Sequence, residues 1–387
     1  MLDLEARLAE LDSRGLRRRR RMLDSAQGTH IRVDDRKMLS FASNDYLGLA
    51  AHPAIAQAAC DALNRYGTGA GAAHLLTGHH VLHHQAEQAL ADFVGLPAAL
   101  LFSTGYMANL GVVTALLDRH GALFADKLNH ASLVDAAQLS RAKHYRYRHN
   151  DLDHLEQLLR ESDAEHKLIA TDAVFSMDGD LAPVPQLLAL AARHDAWLFV
   201  DDAHGFGVLG RRGGGVLEHF GLSSATTRHP SLIYLATLGK AAGVAGAFVA
   251  GNHDLIEWLV NKARTYIYTT AQPPALAAAV SASLTLIAGE PGRRSQLSER
   301  IAHLKAEAAS LPWPLMPSDT PIQPLLVGSN HESLRLADGL RERGILCPAI
   351  RPPTVPEGSA RLRISLSATH SEADVNRLLA TLRELAA

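Results

Sequence analysis

Five short runs place ionisable or hydroxyl side chains directly after stretches rich in apolar or β-branched residues. Asn129-His130-Ala131-Ser132 comes shortly after 122–125, and Phe175-Ser176-Met177-Asp178-Gly179-Asp180 shortly after 168–171. Asp201-Asp202-Ala203-His204 follows 197–200, and Thr237-Leu238-Gly239-Lys240 follows 232–236. After 98–102 comes Ser103-Thr104-Gly105-Tyr106, a glycine turn opening a helix whose first N–H groups are available to a phosphate. If the stretches are parallel strands, all five runs gather beyond the carboxyl edge of one sheet, where open α/β sheets bind ligands. One Lys, one Asp, one His and an anion-ready helix start then meet the needs of pyridoxal phosphate. It requires a lysine for a Schiff base to its aldehyde, a carboxylate that keeps its ring nitrogen protonated, and N–H and hydroxyl donors for its phosphate.

Those runs must be positioned by regular elements, and the pattern supplies them. Apolar stretches at 98–102, 122–125, 168–171, 197–200, 232–236 and 247–250 alternate with longer amphipathic or alanine-rich segments, the signature of an α/β fold. Most of the strands are continuously apolar, which predicts a parallel sheet covered on both faces. A helix is expected after Asp151 or Asp153 with Leu155, Leu158 and Leu159 on one side. Near the C-terminus a strand at 362–366 precedes a helix opened by Ser371, with Asp374 three residues on and Val375, Leu378, Leu379 and Leu382 inward. A change of pattern near Pro291 and a proline-rich passage at 312–324 divide the chain. The expected organisation is an N-terminal arm at 1–50, a large α/β domain at 51–290 and a smaller C-terminal α/β domain at 291–387.

Composition bounds the function. With 387 residues, 47% of them hydrophobic and 20% charged, disorder and fibrous classes are excluded. Thirty-eight basic against 40 acidic residues leave a net charge of −2, so nothing global draws the chain to nucleic acid or an anionic membrane. Cys60 and Cys347 cannot build a disulfide framework or a four-thiolate zinc site, which suits a reducing compartment, and no export signal is visible; the expected location is cytoplasmic. The weakly polar stretch 271–289, with Pro273, Pro274 and many alanines, reads as a buried helix rather than a membrane span.

The same residues carry a resemblance. Ser43-Asn44-Asp45-Tyr46-Leu47-Gly48-Leu49, Asn129-His130-Ala131-Ser132, Val174-Phe175-Ser176-Met177-Asp178-Gly179-Asp180, Val200-Asp201-Asp202-Ala203-His204-Gly205 and Thr237-Leu238-Gly239-Lys240 resemble the α-oxoamine synthase family of pyridoxal-phosphate enzymes. Arg351-Pro352-Pro353-Thr354-Val355-Pro356, followed by Arg361-Leu362-Arg363, is most similar to the branch that joins L-alanine to a pimeloyl thioester on coenzyme A or acyl carrier protein. The resemblance implies a type I aminotransferase-like fold and a homodimer with its site at the subunit interface. By the same likeness Lys240 forms the Schiff base and moves the Cα proton, Asp201 faces the ring nitrogen, His204 the phenolic oxygen and His130 the ring face. Gly105, Tyr106 and Thr237 address the phosphate, Ser176 lies near the ring, and Thr269 and Thr270 reach the partner's phosphate. Arg351, Asn44, Thr354 and either Arg17 or Arg18 contact substrate. No metal, nucleic acid or membrane is implied.

Several runs invite other readings. Gly205-Phe206-Gly207-Val208-Leu209-Gly210 spells a dinucleotide fingerprint, which would make the chain a nicotinamide oxidoreductase, but Asp201 to His204 separate it from its strand and further glycines prolong it, so a loop is expected. Glycine-using members of the family are the nearer alternative. His79, His80, His83, His84 and Glu87 include two i,i+4 histidine pairs, read as a polar helix face rather than a metal site. In Gly69-Ala70-Gly71-Ala72-Ala73-His74 the role of His74 stays open, since many relatives have Gly-Ser-Gly-Gly-Ser-Arg there; Asp172 stands where they often have Glu. The arginines at 17–21 read as a solvated helix with one substrate-facing residue, not a nucleic-acid arm.

Overall fold

Every apolar run expected to be a strand is one. The structure, a computed structural model, describes residues 2–14, 16–17, 20–222 and 230–386. Its large sheet contains β1 (Ala98–Phe102), β2 (Gly121–Asp126), β3 (Lys143–Tyr147), β4 (His166–Asp172), β5 (Ala196–Asp201), β6 (Leu232–Thr237) and β7 (Ala247–Gly251). Their spatial order is β1-β7-β6-β5-β4-β2-β3. β7 is antiparallel to both neighbours and all other pairs are parallel. β3 was not expected, because Lys143-His144-Tyr145-Arg146-Tyr147 lacks an apolar run; it lies at the sheet edge, where polar side chains are tolerated.

Alternate residues of each strand feed two cores. Leu100, Phe102 and Leu123 pack with Val112, Leu133 and Leu259, while Leu101, Phe124 and Ile169 pack on the opposite face with Leu90, Leu155 and Val280. Each such side chain contributes about 1.5–3 kcal/mol by leaving water, which accounts for strands that look apolar throughout. The stretch at 271–289 forms helix Pro274–Gly289, packed against helices Pro53–Tyr66 and Val81–Val94. Among the described residues no single helix is long and apolar enough to cross a membrane.

Beyond Pro291 a second sheet forms from Ile322–Gly328, Ala360–Ser365 and Ala349–Ile350, all antiparallel. Helix Glu372–Ala386 starts at a reciprocal cap: Ser371 N donates to Asp374 Oδ2 at 2.9 Å and Asp374 N to Ser371 Oγ at 3.1 Å. The hairpin His30–Val33 with Arg36–Ser40 adds Ile345–Leu346 as a parallel third strand, tying the start of the chain to its C-terminal part. Preceding it, helix Leu4–Ser13 buries no residue.

Candidate active site

Lys240 sits in the tight turn between β6 and β7, where Gly243 N donates to Lys240 O at 2.9 Å and Val244 N to Leu238 O at 2.8 Å. Gly243 has φ +67°, and a Cβ there would stand 2.5 Å from Ala50 N. Glycine therefore lets the turn press against the segment that carries Asn44 and Tyr46. Lys240 Nζ lies 2.9 Å from His204 Nε2, and His204 Nδ1 lies 2.7 Å from the Tyr46 hydroxyl. Tyr46 donates to Asn44 Oδ1 at 3.1 Å, which also accepts from Arg363 at 3.3 Å. Burial, then the charges of Lys240 and Arg363, hold His204 well below the usual imidazole range. A neutral His204 that accepts from the lysine at Nε2 carries its proton on Nδ1 and donates it to Tyr46. Burial also lowers Lys240 to about 8, against the pull of Asp201 and Asp172, so this amine gives up its proton far more readily than an exposed lysine.

Asp201 ends β5 beside Asp172, its register partner at the end of β4. Asp201 Oδ2 accepts from Asn109 Nδ2 at 2.8 Å and its Oδ1 from Ala203 N at 3.1 Å. Asn109 Nδ2 also donates to Ser132 Oγ at 2.8 Å, and Ser132 Oγ lies 2.7 Å from His130 Nδ1. One amide on helix Gly105–Leu116 thus fixes the acid relative to His130. Burial first, then Asp201, push Asp172 upward, and His130 N donates to it at 3.2 Å.

A clamp lies behind this layer. His149 Nδ1 is 3.0 Å from Asp126 Oδ1 at the end of β2, and its Nε2 is 2.8 Å from Asp180 Oδ2 just beyond Ser176. Burial opposes the imidazolium, yet the two carboxylates raise it to about 10. His149 accordingly stays charged near neutrality and holds the segment leading to His130 against the segment that carries Ser176.

Gly105, Tyr106, His130, Ser176, Asp201, His204, Thr237 and Lys240 line one cavity of about 200 Å³. At one end Thr104 caps helix Gly105–Leu116 by accepting from Met107 N at 3.1 Å, and the first N–H groups of the helix have no intrahelical partner. A Cβ on Gly105 would stand 2.7 Å from Thr237 Cγ2. Thr237 Oγ1 is buried with no partner among the described residues, as is Asn109 Oδ1. An unsatisfied hydroxyl beside a helix start, a buried lysine and a carboxylate fit the phosphate, aldehyde and ring of pyridoxal phosphate.

Other expected residues lie elsewhere. Arg17, Arg351 and Thr354 meet in a second hollow of about 850 Å³, walled by Leu8, Leu11 and Leu16. Asn44 does not line the cofactor-type cavity but is linked to it through Tyr46 and Arg363, and it lines a third hollow with Gly239. Thr269 lines a surface depression with Met107 and Tyr268, and Thr270 is exposed; neither enters the cavity of this single chain. Arg18 falls outside the described residues. The run from Gly205 to Gly210 is a turn, and the next helix begins only at Val216.

The class I and II aminotransferase family model matches residues 36–382. The chain belongs to the class I and II aminotransferase family. Within that family it is similar to the 8-amino-7-oxononanoate synthase of Nitrosomonas europaea, 58% identical over 100% of this chain and 99% of that one. It is similar also to the 8-amino-7-oxononanoate synthase of Chromobacterium violaceum, at 60% over 97% of each. Among solved structures, SPT with pyridoxal phosphate superposes with a TM-score of 0.91 at 29% identity, covering 99% of this chain and 96% of that one. The site of this member of the aminotransferase family also contains residues that sequence reasoning did not assign. Tyr46 and Arg363 stood inside quoted motifs without a role, and Asn109 and His149 had none; apart from the Tyr46 bond to Asn44, the partners described above lie from 23 to 319 residues away in the chain.

Proposed function

We propose that the chain condenses L-alanine with a pimeloyl thioester, with loss of carbon dioxide, to give 8-amino-7-oxononanoate. The observation that carries this reading is the convergence of Lys240, Asp201, His204 and Thr237 on one cavity in a chain whose full-length relatives bear that name. Pyridoxal phosphate, when bound, supplies an aldehyde for an amine and a cationic ring that accepts electrons from the amino-acid α-carbon. Lys240 would hold the aldehyde and, with its amine free again and burial having lowered it to about 8, would take and later return a proton at the alanine Cα. His204 accepts from that amine at Nε2 and orients it, while Tyr46 fixes the imidazole from the other side. Asp201, held by Asn109 and the Ala203 N–H, would face the ring nitrogen. The Thr237 hydroxyl and the start of helix Gly105–Leu116 take the phosphate.

Two carboxylates enter the reaction, alanine's and that of the pimeloyl chain. The hollow holding Arg17 and Arg351 offers a guanidinium for each, with Arg351 assigned to alanine and the leucine wall to methylene groups. In this reading the enzyme is a cytoplasmic homodimer, and Thr269 and Thr270 serve the site of a second copy. Its three-part division is 1–50, 51–290 and 291–387. The test is incubation of purified holoenzyme with L-alanine or glycine and with pimeloyl, acetyl or succinyl coenzyme A, and with pimeloyl acyl carrier protein. 8-Amino-7-oxononanoate and carbon dioxide should form only from alanine with a pimeloyl donor; turnover of glycine in preference would refute the assignment.

A further inference from the structure

Helix Val81–Val94 opens beside imidazoles that the reaction leaves unused. We propose that His79, His84 and Glu87 bind one divalent transition-metal ion, for which two imidazoles and a carboxylate make zinc the best match. One ligand atom from each lies within 4.8 Å of the others, with His79 Nε2 and Glu87 Oε2 3.8 Å apart. Tetrahedral zinc bonds of about 2.0–2.2 Å place ligand atoms roughly 3.3–3.6 Å apart. A rotation of the exposed His79 and His84 rings by about 1 Å therefore closes the site, with the fourth position left to water.

The choice of this trio over one built on His83 follows from hydrogen bonding. His83 Nδ1 accepts from His80 N at 2.9 Å and its Nε2 lies 2.8 Å from Gln272 O, so both nitrogens are engaged. For His79 and Glu87 one atom of the group is engaged elsewhere, while the other, Nε2 and Oε2, stands 3.8 Å from its partner. His79 Nδ1 lies 3.0 Å from His74 Nδ1, and Glu87 Oε1 accepts from Leu101 N at 2.9 Å. Metal-binding histidines and carboxylates are oriented in this way by an outer shell. His74 thereby gains a role: it is the acceptor that fixes the His79 ring.

The acceptance of Leu101 N fastens the site to β1, three residues before the Thr104 cap.

The experiment uses untagged holoenzyme, stripped with chelator and dialysed against buffered zinc. One zinc per chain with a micromolar or tighter dissociation constant is expected, weakened at least tenfold in His79→Gln and in His84→Gln, whose thermal midpoints without metal match the parent. His130→Gln, at the cofactor cavity, should leave zinc affinity unchanged. Failure to bind one equivalent below 100 μM, or undiminished affinity in the His79 and His84 variants, would overturn the proposal.

Discussion

Asn109 bears on the chemistry more than its place inside a helix suggests. Its amide holds the buried Asp201 carboxylate at 2.8 Å and through Ser132 also sets His130. A hydrogen bond to a charged group contributes about 1.5–3 kcal/mol, so Asn109→Ala should lower kcat by roughly 10- to 100-fold. Lysine attachment of the cofactor should persist, measured by absorbance before and after borohydride; an unchanged kcat would remove Asn109 from the account. Thr237 is the converse case, because its buried Oγ1 bonds nothing among the described residues. Thr237→Val should keep the thermal midpoint of the apoprotein and raise the cofactor dissociation constant about tenfold, as read by fluorescence titration. Lys240, Asp201, His204 and His130 were legible because each follows an apolar strand and strand ends share one edge. Asn109 and Arg363 were not, since nothing local in a sequence tells which distant group a polar side chain will meet.

At the level of elements, the segments leading out of β2 and β4 are joined by His149 between Asp126 and Asp180. The imidazolium is raised in the folded state to about 10, from an ordinary 6.5. Its stabilisation is therefore complete below about pH 6.5 and is lost as the pH climbs toward 10. His149→Gln should lower unfolding free energy by about 2 kcal/mol at pH 6, and the gap to the parent should narrow steadily by pH 9.5 in denaturant titrations. A gap that widens with pH would contradict the clamp. Strand β1 was predicted to the residue because Ala-Ala-Leu-Leu-Phe is buried along nearly its whole length. Strand β3 escaped notice because an edge strand with Lys143, His144 and Arg146 has no hydrophobic requirement on its open side. The hairpin at His30–Val33 and Arg36–Ser40 escaped for a related reason, its pairing with Ile345–Leu346 being set some 300 residues away.

Across the whole molecule, the C-terminal sheet reaches the site through two arginines of strand Ala360–Ser365. Arg361, 3% exposed, donates to Asp178 at 2.8 Å, and Arg363 Nε donates to Ser176 O at 2.6 Å. These bonds hold the Ser176 segment between the two sheets. Arg361→Ala leaves the largely buried Asp178 carboxylate unpaired and should cost about 3 kcal/mol in unfolding free energy, with a rise in KM larger than the fall in kcat. Stability within 0.5 kcal/mol of the parent would show that the contact does not couple the two parts. The central claim is that the buried amine of Lys240 is the one that carries the cofactor. Reduction of the yellow holoenzyme with borohydride, followed by peptide mass spectrometry, should find a single pyridoxyl group on Lys240 and none in Lys240→Ala; a pyridoxyl group on any other lysine would contradict it.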